Sequence, residues 1–308
     1  MGVRKYQTPK AFRQALEEKI KTTSKKMQMD LQRVRRTIAF DRFLCRMFID
    51  PKVKWVLKGG YAMELRVETA RATKDIDFTL GKEFTNQFDS DYDANQVLWL
   101  LKKSMSVDLE DYFIFKVGEP MRNLENAPYG GYRYPVHSMI DNRTFVKFHI
   151  DVSLGDQTHG SYEYLEGQDW LAFAGIPTQK FLSISAEQQF TEKLHAYTIP
   201  RGDRPNSRIR DLIDIALLID QGKIKHKRLM ECIKATFKRR KTHAMPDNLQ
   251  EPPEFWKDPF AQMAKKCQID PDIGVQFKKL KNFLQIVRED EKVKSNKGHE
   301  GKTCENAR

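Results

Sequence analysis

The sequence lacks the features of membrane-spanning, secreted and disulfide-stabilised proteins. Its longest apolar runs, such as residues 215–219, are far shorter than the ~18–20 residues that span a bilayer. No apolar stretch follows the charged residues near the start, so no secretory signal is visible. The 4 cysteines form no CxxC pair. We therefore expect reduced thiols, a cytoplasmic location and no association with membranes.

The composition excludes wholesale disorder. The chain has 308 residues, of which 40% are hydrophobic and 31% are charged. That apolar share is large enough to build a core. The length allows one large domain or two small ones, and no internal repeat is visible.

Charge is distributed unevenly along the chain. The formal net charge is +12, with +8 in residues 1–50, −5 in residues 51–220 and +9 in residues 221–308. An acidic middle segment suggests functional carboxylates, and the basic ends suit a polyanion. The alternative is that the basic residues only solvate helix faces.

Hydrophobic periodicity predicts an α/β (α+β) fold with a mixed β-sheet core. N-terminal basic helices are expected over 1–50, an α/β core over 51–180, a C-terminal helical domain over 181–294 and a disordered tail over 295–308. The predicted helices are 8–27, 30–48, 61–67, 91–103, 185–197, 207–219, 227–239, 255–266 and 274–287. The predicted strands are 53–57, 75–80, 112–117, 132–137 and 144–153, with a turn at 141–142 between the last two.

The first candidate site is the pair Asp75 and Asp77 in a strand-like segment. Because side chains alternate in a strand, both carboxylates point to one face, roughly 6.5–7 Å apart, while Ile76 and Phe78 face the core. Two acids on one face repel each other unless a cation lies between them. A lone Asp-x-Asp is common, so this pair alone is weak evidence for a metal site.

Two further segments strengthen the prediction. Lys58, Gly59 and Gly60 lie between a strand and a helix, where glycines let backbone N–H groups approach a phosphate; an ordinary tight turn is the alternative. The strand 148–153 places Asp151 where it can join the acidic pair. Three carboxylates on adjacent strands can hold Mg²⁺ through oxygen ligands.

Charged residues further downstream form a second group. Lys193 lies in a predicted helix, and Asp211 and Asp214 lie three residues apart on one face of the next helix, beside Arg208. A surface ladder of ion pairs is the alternative interpretation. His149 shares the face of Asp151 and either contacts the acidic site or packs against the sheet.

Aromatic residues offer a weaker candidate. Tyr129, Tyr132 and Tyr134 cluster in one stretch and either stack on a base or serve in turns and the core.

Five segments in order carry a resemblance that no single motif provides. They are WVLKGG at 55–60, RATKDID at 71–77, IDVSLGD at 150–156, EKLHA at 192–196 and NSRIRDLID at 206–214. Together they resemble the nucleotidyltransferase AbiEii/AbiGii toxin family, a branch of the polymerase-β-like nucleotidyltransferases, over most of residues 30–220. The chain departs from the family in having Gly-Gly where many members have Gly-Ser, and Arg210-Asp211 where Lys-Asp is usual. Neither departure removes a metal ligand.

The resemblance implies roles for the residues. It assigns metal binding to Asp75, Asp77 and Asp151, and catalytic roles to these three together with Lys193 and Asp211. Nucleotide contacts are implied for Lys58, Gly59, Gly60, Arg71, Thr73 and Arg208. The implied cofactor is Mg²⁺ or Mn²⁺, and the implied substrate is a nucleoside triphosphate such as ATP. Whether Asp211 or Asp214 is the essential downstream acid stays open.

The resemblance also implies a function. A metal-dependent nucleotidyltransferase moves a nucleoside monophosphate from the triphosphate to an acceptor, and RNA, such as a tRNA 3′ end, suits the basic ends. The implied setting is the toxin of a bacterial toxin–antitoxin or abortive-infection system, with a cognate antitoxin as partner. The alternatives are nucleotidylation of a small molecule or protein, and a non-catalytic RNA-binding protein on a transferase fold.

Overall fold

The fold divides into two compact units. The computed structural model describes residues 5–80, 93–123, 130–154, 162–202 and 204–303. The first unit comprises the described residues of Met1–Arg66, Ala72–Gln157 and Glu163–Ser183. The second comprises those of Val67–Arg71, Thr158–Tyr162 and Ile184–Arg308. The first unit ends at Ser183, close to the predicted boundary after residue 180. Two short segments from earlier in the chain also belong to the second unit.

Two helices open the first unit, and local sequence sets where each begins. Helix α1 spans Pro9–Met27, and the Thr8 hydroxyl accepts a hydrogen bond from the Ala11 N–H. Helix α2 spans Leu31–Met47 and is capped by Asp30. Both helices bury their apolar faces in the core of this unit.

A mixed sheet of 8 strands forms the centre of the first unit. The strands are β1 Trp55–Lys58, β2 Asp75–Leu80, β3 Ile114–Val117, β4 Arg122–Asn123, β5 Gly131–Ile140, β6 Arg143–Leu154, β7 Glu163–Glu166 and β8 Lys180–Ser183. Their order is β3-β5-β6-β2-β1-β8-β7, with β4 paired to β5. The pairs β2–β6 and β1–β8 are parallel, and the others are antiparallel. The mixed α/β fold is confirmed, although β4, β7 and β8 were not predicted.

Two helices of the same unit follow strands of this sheet in the chain. Helix α3, Gly59–Arg66, begins directly after β1, and α4, Ala94–Met105, precedes β3. In β2 the predicted alternation is present, because Ile76 and Phe78 are fully buried whereas Asp75 and Asp77 are only partly buried. One face of the sheet at β2 therefore packs into the core, and the opposite face carries the aspartates.

The hairpin of β5 and β6 turns at the predicted position. Asp141 and Asn142 have φ angles of 54° and 56°, the left-handed conformation that short Asp and Asn side chains tolerate and that two-residue hairpins need. One extra residue, Phe145, interrupts the pairing of β6 with β5 between the partners of Ser138 and Met139. This bulge shifts every later pair by one residue.

The second unit is helical over its described residues. Its helices are α5 Ala186–Thr198, α6 Ile209–Asp220, α7 His226–Arg240, α8 Lys257–Lys266 and α9 Ile273–Thr303. Helix α9 continues to Thr303, so a tail disordered from residue 295 is corrected over 295–303. That stretch contains no proline to stop the helix, and residues 304–308 lie outside the described part. None of the described helices is long and apolar enough to cross a membrane.

A buried ionic cluster ties α2 to the segment before β3. Asp111 is fully buried and accepts hydrogen bonds from Arg42 at 2.8 Å and from Arg46 at 2.7 and 2.9 Å. Burial acts to raise the pKa of Asp111, but the hydrogen bonds and charges of the two arginines lower it below its usual value. The carboxylate is therefore the counter-charge for two desolvated guanidinium groups.

Replacing Asp111 with alanine tests this cluster. We expect the free energy of unfolding to fall by about 3–5 kcal/mol, because two buried guanidinium charges lose their partner. Urea denaturation measures the change, and the exposed Asp169→Ala variant is the control. Equal, small effects of both substitutions would show that the cluster does not stabilise the first unit.

Candidate functional site

The predicted acidic residues meet on one face of the sheet. In the parallel pairing of β2 with β6, Asp77 lies opposite Asp151 and Asp75 lies opposite His149. On the other side of β6, the antiparallel β5 places Arg133 opposite Asp151. These five residues form what we call the carboxylate face.

Arg133 neutralises part of this face. Its Nε and Nη2 lie 2.7 and 2.6 Å from the two carboxylate oxygens of Asp151, and Nη2 lies 3.4 Å from Asp75 Oδ2. The hydrogen bond to Asp151 is the main cause of a raised pKa of Arg133, with burial opposing it. His149 Nδ1 lies 3.4 Å from Asp75 Oδ1, so His149 contacts the acidic site rather than packing away from it.

The donor set suits Mg²⁺ or Mn²⁺ chemically. Asp75, Asp77 and Asp151 supply carboxylate oxygens, the ligands that these hard cations prefer, and a guanidinium already lies between two of them. In the described part of the chain no three acidic, histidine or cysteine side chains are close enough together to hold a metal ion as they stand. A metal ion at these aspartates would therefore draw the carboxylates together and compete with Arg133 for them.

Gly59 brings the chain close to Asp77. It lies at the junction of β1 and α3 with a φ of 66°, and a Cβ there would stand 1.9 Å from Asp77 Oδ2. The preceding residue, Lys58, is the cross-strand neighbour of Asp77. Only glycine meets both the backbone conformation and the close approach of the carboxylate.

Gly60 has a different neighbour, Thr73. A Cβ on Gly60 would stand 2.6 Å from Thr73 Oγ1. The Thr73 N–H donates to Glu64 Oε1 at 2.5 Å, and Arg33 donates to the other oxygen of Glu64 at 3.0 and 3.2 Å. One buried glutamate of α3 thus links this helix to the segment before β2.

Lys193 is the centre of a charged cluster in the second unit. Its Nζ lies 2.6 Å from Asp214 Oδ2 and 3.5 Å from Asp211 Oδ1. Burial acts to lower the pKa of Lys193, but Asp214 and Asp211 raise it above its usual value. Arg71 also binds both oxygens of Asp214, at 3.0 and 2.8 Å. Arg71 therefore holds Asp214 in place, and its nucleotide contact stays a prediction.

The two downstream aspartates differ in their surroundings. Asp214 is fully buried, and although burial acts to raise its pKa, Lys193 and Arg71 lower it below its usual value. Asp211 is more exposed and lies 3.9 Å from Arg208. These positions suggest an anchoring role for Asp214 and an accessible one for Asp211.

Two arginines of the second unit have unsatisfied donors. Arg201 Nε and Arg208 Nε are buried without a hydrogen-bond partner in the described structure. Burial and the charge of Arg208 lower the pKa of Arg201. Two neighbouring guanidinium groups with spare donors suit an oxyanion.

Two other residues of the sequence patterns, His195 of the EKLHA segment and Tyr134, have buried contacts of their own. His195 is buried and contacts Thr242 and Arg240. Tyr134 is buried and donates to the Ala94 carbonyl, which is a core role, and Tyr129 lies outside the described residues.

The sequence did not single out Arg133, Glu64 or Arg201. Arg133 shares the period-two pattern of its strand with His137, which indicated a common face but not the partner strand. Glu64 had only its place on a predicted helix as a signal. Arg201 had none beyond its basic charge in a loop.

A Gly59→Ala variant tests the close approach to Asp77. We expect it to abolish the rise in melting temperature that a nucleoside triphosphate with Mn²⁺ produces, because the methyl group displaces the Asp77 carboxylate. Gly175→Ala is the matched control, since Gly175 has a φ of 71° with nothing near its Cβ position. Both variants carry the left-handed cost of about 1–2 kcal/mol, so a retained shift in Gly59→Ala would contradict the role of the turn.

An Arg133→Gln variant tests the competition with a metal. We expect it to bind Mn²⁺ about tenfold more tightly without nucleotide, because one competing cation is removed. Titration of free Mn²⁺ by electron paramagnetic resonance measures this, with the exposed Arg143→Gln as control. Unchanged or weaker Mn²⁺ affinity in Arg133→Gln would show that the guanidinium does not compete.

Comparison with known proteins identifies the family. The family model for the nucleotidyl transferase AbiEii toxin of type IV toxin–antitoxin systems matches residues 42–287. No curated protein matches the sequence.

The fold is similar to that of MenT4, a nucleotidyltransferase toxin from Mycobacterium tuberculosis H37Rv, with 14% identity, a TM-score of 0.45, and coverage of 66% of this chain and 63% of that one. It is also similar to a candidate nucleotidyltransferase from H. pylori, with 15% identity, a TM-score of 0.43, and coverage of 83% and 96%. The chain thus spans less than two thirds of the length of MenT4. By the extent of the family match, over residues 42–287, the protein belongs to the AbiEii family of nucleotidyltransferase toxins.

Proposed function

We propose that the protein transfers a nucleoside monophosphate from a nucleoside triphosphate to a hydroxyl group of an acceptor RNA. The observation that carries this proposal is the pairing of Asp77 with Asp151 on the carboxylate face, beside a glycine turn packed against Asp77. Carboxylates on adjacent strands next to a glycine turn suit the two needs of the reaction, a cation site and room for phosphates.

The transfer is a displacement at the α-phosphorus. The acceptor hydroxyl oxygen forms a bond to the α-phosphorus, the bond from that phosphorus to the oxygen bridging to the β-phosphate breaks, and pyrophosphate leaves. We assign removal of the hydroxyl proton to the Asp151 carboxylate, which is partly exposed. Mg²⁺ or Mn²⁺, held by Asp75, Asp77 and Asp151, supplies positive charge for the phosphates when bound.

The turn at Gly59 and Gly60 is assigned to phosphate binding. The N-terminus of a helix attracts anions, and glycines, which have no side chain, let a phosphate approach the backbone closely. Thr73, held by Glu64 beside Gly60, borders the same turn. Lys58 adds a positive charge next to Asp77 in the sheet register.

The second unit is assigned a supporting role through its own charges. Asp214 fixes Lys193 and Arg71, and Asp211 is the more exposed acid of the pair. The unsatisfied donors of Arg201 and Arg208 are assigned to an anionic group of the substrate. We expect Lys193→Ala and Asp211→Asn to impair transfer.

We infer the acceptor from the charge distribution and the biological role from membership of the family. The basic net charges of residues 1–50 and 221–308 favour RNA, because Lys and Arg attract phosphates irrespective of sequence. A tRNA 3′ end is the specific acceptor we propose. Membership of a toxin family of type IV systems supports growth inhibition that a cognate antitoxin relieves.

The test is incubation with total RNA, Mg²⁺ and each α-³²P-labelled nucleoside triphosphate in turn. We expect label to enter RNA, with chelation of the metal abolishing it. Asp75→Asn and Asp77→Asn should each lower the rate by about 10²-fold or more, whereas Asp169→Asn, an exposed carboxylate elsewhere, should leave the rate unchanged. Induced expression in a bacterial host should arrest growth only for proteins that label RNA.

The other outcomes separate the alternatives. Label in a protein or a small molecule would overturn the RNA acceptor and leave the transferase chemistry. RNA binding without transfer of label from any triphosphate would indicate a non-catalytic RNA-binding protein. Undiminished labelling by the Asp75 and Asp77 variants would contradict the site itself.

A further inference from the structure

A groove of about 700 Å³ opens beside the carboxylate face in the first unit. It shares Asp75, Arg133 and His149 with that face, and the other charged residues that line it are all basic, among mostly apolar neighbours. Its volume is typical of clefts that admit small ligands, so it has room for the end of a single strand rather than for a duplex. We call it the basic groove.

Sheet register explains why the basic groove is cationic. In β3, β5 and β6, Lys116, His137 and Lys147 lie directly opposite one another and form one cross-strand row. On the same face, Pro135 and His149 form the next row, and Arg133 and Asp151 the one after it. Rows are roughly 6.5–7 Å apart, so the face changes from basic to acidic within two steps along the strands.

Four cationic side chains line the groove. Lys116 and Lys147 are exposed, and Arg36 of α2 and Lys74, which precedes β2, add two more charges. Across the described ranges no hydrogen bond or ion pair involves these four side chains. Charges left unpaired in a cleft attract an anionic ligand with several phosphates more strongly than a scattered surface does.

We propose that the basic groove binds the single-stranded end of the RNA acceptor. Its phosphates contact Lys116, Lys147, Arg36 and Lys74, and its terminal hydroxyl points towards Asp75 and Asp151. The direction follows from the charge gradient, because phosphates are attracted by the lysine row and repelled by the aspartates. The placement of the hydroxyl rests on the proposed function, whereas the binding of RNA in the groove does not.

The test is binding of a short, fluorescently labelled single-stranded RNA with a free 3′ hydroxyl, in EDTA and without nucleoside triphosphate. We expect the double variant Lys116→Gln/Lys147→Gln to weaken binding about tenfold or more. We also expect it to lower the slope of log K against log salt by about 1.4, for two lost phosphate contacts. Fluorescence anisotropy over a range of salt concentrations measures both.

Two matched variants serve as controls. Lys52→Gln/Lys54→Gln removes the same charge from exposed positions just before β1, outside the basic end segments and the groove, and it should change affinity less than twofold. Lys116→Arg/Lys147→Arg keeps the charge and should retain binding. An unchanged melting temperature confirms that each variant is folded.

The outcomes distinguish the groove from the transferase. The proposal would be overturned if the Lys52/Lys54 variant weakened binding as much as the groove variant, or if the groove variant did not weaken it. Competition by polyglutamate as strong as that by RNA would also overturn it, because it would indicate an acidic protein as the partner. Because no triphosphate is present, failure of transfer leaves this result unaffected. RNA binding lost only in the groove variant supports the groove even if no label is ever transferred.

Discussion

Repulsion among three aspartates is the constraint on which the arrangement of the first unit depends. Pairing of β2 with β6 places Asp75, Asp77 and Asp151 on one face, and their charges are unfavourable together unless a cation lies among them. The structure meets this need with Arg133, which binds Asp151 with two hydrogen bonds and reaches Asp75. The same need makes the face a natural site for a divalent metal.

The same principle appears in different forms elsewhere in each unit. Asp111 pairs with two buried arginines in the first unit, and Asp214 pairs with Lys193 and Arg71 in the second. These clusters are closed, because every charge has a buried partner. The carboxylate face is partly exposed and joins a groove whose Lys116 and Lys147 have no ion pair among the described residues. Closed clusters suit stability, and open ones suit ligands whose charge completes them.

Local patterns in the sequence predicted much of the fold and of the acidic site. Alternation in β2 predicted the shared face of Asp75 and Asp77, and Asp141–Asn142 predicted the hairpin turn. The contact of Arg133 with Asp151 could not be predicted from a local pattern. Counting back from the turn places Tyr132 opposite Asp151, and only the extra residue Phe145 in β6 brings Arg133 there. A bulge of this kind depends on packing across the sheet, which local pattern does not encode.

The other features that the sequence did not predict depend on contacts between residues far apart in the chain. Strands β7 and β8 are only four residues long, and their sequences have little alternation to detect. The spacing of Asp211 and Asp214 predicted a shared helix face, but not that Arg71, far away in the chain, completes the surroundings of Asp214. The assignments of metal, nucleotide and acceptor rest on chemistry and family, and they stay predictions.

The central claim is that the carboxylate face binds the divalent metal of the transferase. Crystals grown with Mn²⁺ and a non-hydrolysable nucleoside triphosphate, measured by anomalous diffraction, test it most directly. The account predicts an anomalous peak within about 2.0–2.2 Å of carboxylate oxygens of Asp75 and Asp77, with the Arg133 guanidinium displaced from Asp75. Bound nucleotide with Mn²⁺ at other residues, and Arg133 still paired with both aspartates, would contradict it.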